Sequence, residues 1–297
     1  GLVLSPKEFP HLTGLKGRTL LTSDGTTILG ADDKAGIAEI LTMIERIQTE
    51  NRPHGTICVA FTPDEEIGMG AEHFNLDQFG AEYAYTLDGD SEGEIQYENF
   101  NACKAEFEIR GFNVHPGEGK DTMINASLVA IEINNCLPSM ETPRGTEDYE
   151  GFYHLISMQG EVGEAKLNYI VRDHDKNGFE ERKKTLRLIE KNLNAKWGEG
   201  TVTLKITDQY LNMKEIVEEH MHLIDHAKKA CEAAGVAPLI LPIRGGTDGC
   251  QLSFKGLPCP NLGTGGHAFH GPYEHISVEG MEKSVELLLA LIQEYTK

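Results

Sequence analysis

The sequence has little positive charge. Its 297 residues contain 27 lysines and arginines against 47 aspartates and glutamates, so the formal net charge is −20 at pH 7. A chain this acidic lacks the cationic surface that generally binds nucleic acids or anionic membranes. We therefore expect neither a nucleic acid nor a membrane among its partners.

The sequence also lacks closely paired cysteines and long apolar runs. Six cysteines are scattered along the chain, and no two of them form a Cys-x-x-Cys pair. In a chain of this length, such spacing indicates free thiols in a reducing compartment rather than a disulfide framework. No apolar run approaches the ~18–20 residues that a membrane-spanning helix needs. We therefore expect a cytoplasmic protein.

The two ends of the chain have the alternating strands and helices of an α/β domain. Residues 56–62 are nearly all apolar, which is typical of a strand buried on both faces of a parallel sheet. Apolar residues at helical spacing predict that one face of a helix at 33–50 is buried; they are Ile37, Ile40, Leu41, Ile44 and Ile47. The remaining predicted elements are a hairpin at 19–29, strands at 82–87, 239–243 and near Asn261, and helices at 220–234 and 278–295.

The pattern changes near Asn101 and changes back after Leu211. Between these points the predicted order is β-α-β-β-α-β, which is typical of the ferredoxin-like split βαβ sandwich. Its elements are predicted at 104–110, 125–136, 152–159, 166–172, 178–196 and 201–207. We therefore predict a mixed sheet flanked by helices at 1–99 and 212–297, with an α+β domain inserted at 100–211.

Four polar clusters fall in loops or at strand ends, where an α/β sheet places its site. They are residues 30–36, 62–66, 86–89 and 264–271. Each has an ordinary structural explanation: a helix-capping aspartate, a solvated acidic turn, an Asp-Gly turn and a structural histidine. Together, however, they supply carboxylates and an imidazole, a ligand mixture that suits Zn²⁺, Mn²⁺ or Co²⁺.

Longer motifs connect these clusters to a known family. They are LGADDKAG at 29–36, AFTPDEE at 60–66, NVHPG at 113–117, YEGFYHL at 149–155, RGGTDG at 244–249 and PCPNL at 258–262. They closely resemble the peptidase T family, the tripeptide aminopeptidases among the co-catalytic zinc metallopeptidases related to carboxypeptidase G2 and aminoacylase. The likeness runs over essentially the whole chain. It implies a zinc-peptidase fold in which the inserted domain is a lid that also dimerises.

The resemblance assigns the metal ligands one by one. Asp32 matches a carboxylate that bridges two metals, and Glu66 and His270 match the other ligands of one metal. Asp88 matches a ligand of the second metal, and Glu65 matches the general base. The implied cofactor is zinc, two ions per complete subunit, with manganese or cobalt as alternatives.

Three residues outside the metal ligands are also assigned by the resemblance. His115, in the predicted lid, matches a residue that reaches the partner subunit's site and stabilises the oxyanion. Arg172 and Arg244 match positions that bind the carboxylate of the peptide, although surface ion pairs would explain them without the family. The expected partners are therefore a short peptide substrate and a second copy of the chain.

One expected motif is not found in the sequence. The family's second metal also uses a histidine from an early His-x-Asp motif, and none of the 12 histidines is followed two positions later by aspartate. We therefore expect that the first quarter or so of the family's pattern is missing. We also expect that this chain alone holds at most one metal well and is nearly inactive.

The sequence thus predicts a metal-dependent aminopeptidase that releases the N-terminal residue of tripeptides. A dipeptidase or an N-acyl amino acid hydrolase with the same metal core is an alternative. For this chain by itself, a catalytically inactive dimerising fragment is a further alternative.

Overall fold

The chain folds into two compact units. The computed structural model describes residues 2–296. The first unit comprises the chain up to Glu98, the segment Met213–Ile243 and the chain from Thr247 onward, and the second comprises Asn99–Asn212 and Arg244–Gly246. The sequence placed residues 244–246 in the first part of the fold. The structure places them in the second unit, where Gly245 accepts a hydrogen bond from the backbone of Phe100.

Thirteen α-helices and β-strands are described in the first unit, apart from short 3₁₀ turns. Before the second unit they are β1 (Leu20–Thr22), α1 (Ala31–Thr49), α2 (Leu76–Phe79), β2 (Thr86–Gly89) and β3 (Glu94–Gln96). After it they are α5 (Lys214–Val217), α6 (His222–Ala233), β8 (Leu239–Ile240), α7 (Asp248–Phe254), β9 (Asn261–Gly263), β10 (Gly266–His267), β11 (His275–Ser277) and α8 (Val278–Glu294).

These strands form two small sheets. One has the order β2-β9-β3-β8 and is mixed, because β2 is parallel to β9 whereas β3 is antiparallel to β9. The other has the order β1-β11-β10 and is antiparallel. Helix α8 packs against α1 and α6 through a buried stripe that includes Val285, Leu288 and Leu289. No helix within residues 2–296 is both long and apolar enough to cross a membrane.

The second unit has six long elements in the predicted β-α-β-β-α-β order. They are β4 (Asn101–Arg110), α3 (Ala126–Asn135), β5 (Phe152–Gly160), β6 (Glu164–Asp173), α4 (Lys176–Trp197) and β7 (Val202–Tyr210). The sheet order is β5-β6-β4-β7, and every neighbouring pair is antiparallel. Side-chain caps begin both helices, because Asn125 accepts from the backbone of Leu128 and Asp175 from that of Gly178.

Helices α3 and α4 cover one face of this sheet and bury its apolar side chains, among them Phe107, Tyr169 and Leu186. Leu186 lies on α4 and has no exposed surface. We expect Leu186→Ala to lower the free energy of unfolding by about 2–5 kcal/mol, because a cavity replaces the isobutyl group. Leu188→Ala, on the same helix but 55% exposed, is the matched control and should have a much smaller effect. Urea unfolding of both variants measures the difference.

The predicted hairpin at 19–29 is wrong in its second half. β1 pairs with β11, which lies more than 250 residues further along the chain, and residues 26–29 form no strand. Local side-chain bonds explain the difference. Asp24 accepts hydrogen bonds from the backbone and the hydroxyl of Thr26, and Ser23 donates to the carbonyl of Thr27. These bonds close a turn around Gly25 without returning the chain alongside β1.

The predicted strand at 56–62 is also wrong in this structure. No strand of the described residues pairs with this segment, and Ile57, Val59 and Phe61 are 36%, 38% and 49% exposed. On α1, Ile37 and Leu41 are likewise exposed, whereas Ile47 is buried as predicted, together with Ala35 and Met43. An apolar pattern predicts burial only where another layer covers it. The predicted strand at 82–87 is displaced too, because β2 begins at Thr86.

Candidate metal centre

Three of the four predicted ligands converge on one point in the first unit. His270 Nε2 lies 2.8 Å from Asp32 Oδ2 and 3.2 Å from Glu66 Oε2. One ligand atom from each of the three residues lies within 4.8 Å of the others. Two carboxylates and one imidazole at this separation fit a Zn²⁺-type ion with an open position, because catalytic sites typically supply three protein ligands.

Asp32 lies at the start of α1, where the backbone is irregular. Gly30, two residues before it, has φ 74°, a left-handed conformation that glycine adopts without strain. Asp32 itself has non-helical angles (φ −78°, ψ 107°), and the peptide bond between Asp32 and Asp33 is cis. The carboxylate of Asp32 is therefore a loop ligand rather than part of a regular helix.

Glu65 and Glu66 lie in a single 3₁₀ turn, Glu65–Ile67, between two left-handed residues, Asp64 and Gly68. Glu66 is the residue that contacts His270. Burial raises the pKa of Glu65 to about 7, and the charges of Asp248, Glu66 and Asp32 add to the rise, whereas His270 opposes it. A carboxylate that titrates near neutral pH is suited to general base catalysis.

Asp88 lies on β2 beside Asp32 but outside the three-residue group. Its backbone N–H donates to Asn261 Oδ1 at 3.1 Å, which fixes the end of the strand. Burial raises the pKa of Asp88 to about 9, and the neighbouring carboxylates of Asp33, Glu65 and Asp32 contribute further. The structure therefore brings all four predicted ligands into one acidic cluster.

Two further acidic side chains enlarge this cluster. Burial raises the pKa of Asp33 to about 8, against the hydrogen bond that it accepts from the backbone of Gly36. Asp248 is 3% exposed, and no described residue hydrogen-bonds to either of its carboxylate oxygens. Concentrated negative charge with several raised pKa values marks a functional site that is completed by positive charge.

The pKa of His270 reflects this surrounding charge. Partial burial acts to lower it, but the hydrogen bond to Asp32 and the charges of Glu66, Asp32 and Glu274 outweigh burial and raise the pKa above its usual value. His270 also has φ 60°, a left-handed conformation that is uncommon outside glycine. The loop between β10 and β11 therefore holds the imidazole in a specific orientation against the two carboxylates.

The other histidine of this loop, His267, lies in a separate cluster. Its ring stacks on that of His11 at 4.1 Å, and His11 Nε2 lies 2.8 Å from His275 Nε2. Burial lowers the pKa of His267 to about 4, and the charges of His11, His275 and Arg18 lower it further. Among the described residues, His267 is not part of a ligand group.

We expect the lowered pKa of His267 to act against the stability of the metal-free protein in acid, whereas the raised pKa values of Asp33, Glu65 and Asp88 act in its favour. The folded-state pKa of His267, about 4, lies below the unfolded value of 6.5, so the unfolded chain binds the extra proton first. The contribution to stability is complete above pH 6.5 and is lost as the pH falls towards 4, by about 3 kcal/mol at most. Urea unfolding in EDTA at pH 7 and 4.5 measures the loss. His267→Phe should lose less over this interval, and an equal loss in both proteins would contradict the assignment.

The remaining predicted site residues lie in the second unit. His115 is exposed, and its Nδ1 accepts a hydrogen bond from the backbone of Gly117, so a neutral ring carries its proton on Nε2. Arg172 is buried and donates to the carbonyls of Cys103 and Val171.

Arg244 has protein partners as well. Its guanidinium donates to the carbonyls of Asp148 and Glu150 and to Thr146, and it stacks on Phe100 at 5.1 Å. These contacts hold the loop that precedes β5. The predicted roles of His115, Arg172 and Arg244 towards substrate stay predictions.

Sequence reasoning missed several residues that shape the site, namely Asp33, Asp248, Asn261 and Glu274. Three of them lie in or beside quoted motifs, but their roles depend on non-local hydrogen bonds and charges that no local pattern shows. Glu274 comes four residues after His270. This spacing from a predicted ligand was the only feature of the sequence that could have indicated a role for Glu274.

Comparison with known proteins agrees with this geometry. The model of Peptidase family M20/M25/M40 matches residues 25–294. A Peptidase T from Halothermothrix orenii is 54% identical over 295 residues, which cover 99% of this chain and 72% of that protein.

Solved structures agree as well. The aminopeptidase PepT from Bacillus cereus has a TM-score of 0.82 at 28% identity, covering 94% of this chain and 74% of that one. A tripeptidase from Staphylococcus aureus also has a TM-score of 0.82, at 24% identity, covering 93% and 74%. The family resemblance and the fold class predicted from the sequence are thereby confirmed. The chain belongs to Peptidase family M20/M25/M40, a family of metal-dependent peptidases.

Proposed function

We propose that the protein is an aminopeptidase that hydrolyses the first peptide bond of tripeptides. The observation that carries the proposal is the convergence of Asp32, Glu66 and His270 beside Glu65, whose pKa is raised to about 7. Such a set combines a metal site with a base that is active near neutral pH. Identity to Peptidase T proteins over nearly the whole chain supports the choice of substrate class.

Asp32, Glu66 and His270 would hold one metal ion, and Asp88 beside Asp32 would contribute to a second. We propose zinc, two ions per complete subunit, with manganese or cobalt as alternatives, because the donors are carboxylates and an imidazole. When bound, the metal acts as a Lewis acid and makes water a stronger nucleophile near neutral pH.

Glu65 performs the proton transfers of the reaction. As a carboxylate it accepts the proton from the attacking water, and as a carboxylic acid it returns that proton to the departing amine. A pKa of about 7 lets the group act in both directions. Glu66 is instead the metal ligand, because Glu66, and not Glu65, contacts His270.

We further propose that two copies of the chain form the working enzyme. The second unit is the proposed lid and dimerisation domain, and His115 is the proposed oxyanion donor to the partner subunit's site. Its tautomer supports this role, because accepting from Gly117 at Nδ1 leaves an Nε2–H donor. Arg172 and Arg244 are the proposed anchors for the peptide carboxylate. The proposed location is the cytoplasm, consistent with six free cysteines.

The role of His115 across the dimer has a direct test. In the complete protein, Glu65→Gln and His115→Ala should each be inactive alone, whereas a mixture should recover activity because one site in each mixed dimer combines an intact base with an intact partner histidine. Random pairing in a twofold dimer gives roughly a quarter of the normal rate. Two batches of Glu65→Gln mixed together are the control. No recovery after verified subunit exchange would show that both residues act within one subunit.

The proposed activity is tested with three substrates of equal side-chain composition: a tripeptide, a dipeptide and an N-acetylated amino acid. Each is assayed with Zn²⁺, Mn²⁺ or Co²⁺ added. Preferential release of the first residue of the tripeptide supports the proposal. Preference for the dipeptide or the acylated substrate would favour the alternatives from the same superfamily. No turnover of any substrate by the chain, with turnover by a full-length relative, would identify an inactive dimerising fragment.

A further inference from the structure

One buried carboxylate connects the two loops that carry the metal ligands. Glu274 is 1% exposed. Its Oε2 accepts a hydrogen bond from the backbone N–H of Gly30 at 2.6 Å, and its Oε1 accepts one from that of Asp32 at 3.0 Å. Both carboxylate oxygens therefore accept hydrogen bonds, one from each of the two residues that flank Ala31 at the start of the Asp32 loop.

Glu274 belongs to the loop of His270. Its own backbone N–H donates to the carbonyl of Gly271, which closes a turn directly after the histidine. Because Asp32 Oδ2 lies 2.8 Å from His270 Nε2, the contacts form a closed ring: Glu274 to the Asp32 backbone, the Asp32 side chain to His270, and His270 through the turn back to Glu274.

The surroundings make this connection strong. Ala31 and Ile276 are buried in one apolar cluster, against which Phe269 packs, so both loops share a dry support. A hydrogen bond from a backbone N–H to a charged acceptor is about twice as strong as a neutral one, and more so away from water. The separation of the two ligands is therefore held by Glu274 rather than left to loop flexibility.

We propose that Glu274 is a positioning residue that sets the separation of Asp32 and His270 and thereby the affinity of the site for its metal. The inference rests on the proposed function in one respect, namely that Asp32 and His270 hold a metal. Glu274 itself takes no part in the chemistry, because both of its oxygens are occupied by backbone donors.

Glu274→Gln tests the proposal with little change in size. The amide keeps one acceptor but presents an N–H₂ group to a backbone N–H, so one hydrogen bond is lost and two donors face each other. We expect metal affinity to fall by about 10–100-fold, the usual cost of losing an outer partner of a metal ligand. Competition with a chromogenic chelator for Zn²⁺ measures the affinity, and the visible spectrum of the Co²⁺-loaded protein should change with the altered coordination.

Glu279→Gln is the matched control. Glu279 also accepts a backbone hydrogen bond with both oxygens, from Thr19 at 3.1 and 2.8 Å, but it lies on α8, and among the described residues its side-chain hydrogen bonds go to Thr19 alone. The metal affinity and the Co²⁺ spectrum of the Glu279→Gln variant should match those of the unchanged protein. If Glu274→Gln does not fold, Glu274→Asp replaces it, because it keeps the charge while withdrawing both oxygens, and it should also weaken binding.

The result that would overturn the proposal is a Zn²⁺ affinity within twofold of the unchanged protein and an unaltered Co²⁺ spectrum in a folded Glu274 variant. An equal loss in the Glu279 variant would overturn it as well. Failure of the proposed function is separate, because it would appear as absent tripeptide cleavage by the unchanged protein. Weaker metal binding in the Glu274 variant would still support the positioning role in that case.

Discussion

In the complete protein, Glu65→Gln should retain metal and lose most turnover. The substitution keeps the size of the side chain and removes the carboxylate that accepts the proton, and general acid–base catalysis is typically worth ~10²–10⁴-fold in rate. The loss should appear in kcat rather than in KM, because Glu65 is placed to act on the reacting water and not to bind the peptide. Glu66→Gln should instead lose metal first, because Glu66 contacts His270 within the ligand group.

Metal content and tripeptide turnover, measured on the same preparations, separate these two glutamates. Glu72→Gln is the control, because Glu72 is an exposed acid six residues after Glu66 and should change neither quantity. Equal metal loss in the Glu65 and Glu66 variants would contradict the assignment of base and ligand. A Glu65 variant that keeps normal turnover would contradict it too.

The sequence was most informative where its pattern and its partners lie close together. The elements of the second unit are predicted within a few residues, because the alternation along β4 is matched by neighbours that are present: β6 and β7 pair with it on both sides. Each buried face is covered by α3 or α4 of the same unit. Local pattern and tertiary environment therefore agree.

Pattern alone was insufficient where burial depends on neighbours that are distant in the sequence. Residues 56–62 are as apolar as a buried strand, yet no strand of the described residues pairs with them. β1 takes its partner from β11, near the other end of the chain, which no local turn signal could indicate. The predicted strand at 56–62 is therefore wrong, whereas β1 forms as predicted but with a partner that its local sequence could not indicate.

The candidate site likewise contains residues that the sequence predicted and residues that only the structure shows. Asp32, Glu66, His270 and Asp88 were assigned by family resemblance, and the structure brings them together. Glu274 and Asn261 act through buried hydrogen bonds to the backbone of residues more than 150 positions away. Such contacts leave no periodicity in the sequence, so they become visible only in the folded chain.

Asp32→Asn should have opposite effects on metal binding and on the metal-free protein. Asp32 contacts His270 and belongs to the ligand group with Glu66, so its loss should weaken metal binding by at least about a hundredfold, beyond the usual effect of an outer partner. Tripeptide turnover should fall with it. In the metal-free protein, however, the charge of Asp32 is one cause of the raised pKa values of Asp33, Glu65 and Asp88. Removing it relieves repulsion, so the variant should be at least as stable without metal as the unchanged protein.

Thermal unfolding with and without metal distinguishes these two effects. A ligand at about 100 times its Kd stabilises a folded protein by about 2.7 kcal/mol, so Zn²⁺ should raise the Tm of the unchanged protein clearly. The same Zn²⁺ concentration should raise the Tm of Asp32→Asn only slightly. In EDTA, the Tm of this variant should be equal to or higher than that of the unchanged protein. Asp24→Asn, in an exposed turn outside the site, should keep the full metal-dependent rise. A variant at Asp32 that is destabilised in EDTA would show that its carboxylate supports the fold, whereas the predicted pattern shows an acidic cluster that costs stability unless a cation completes it.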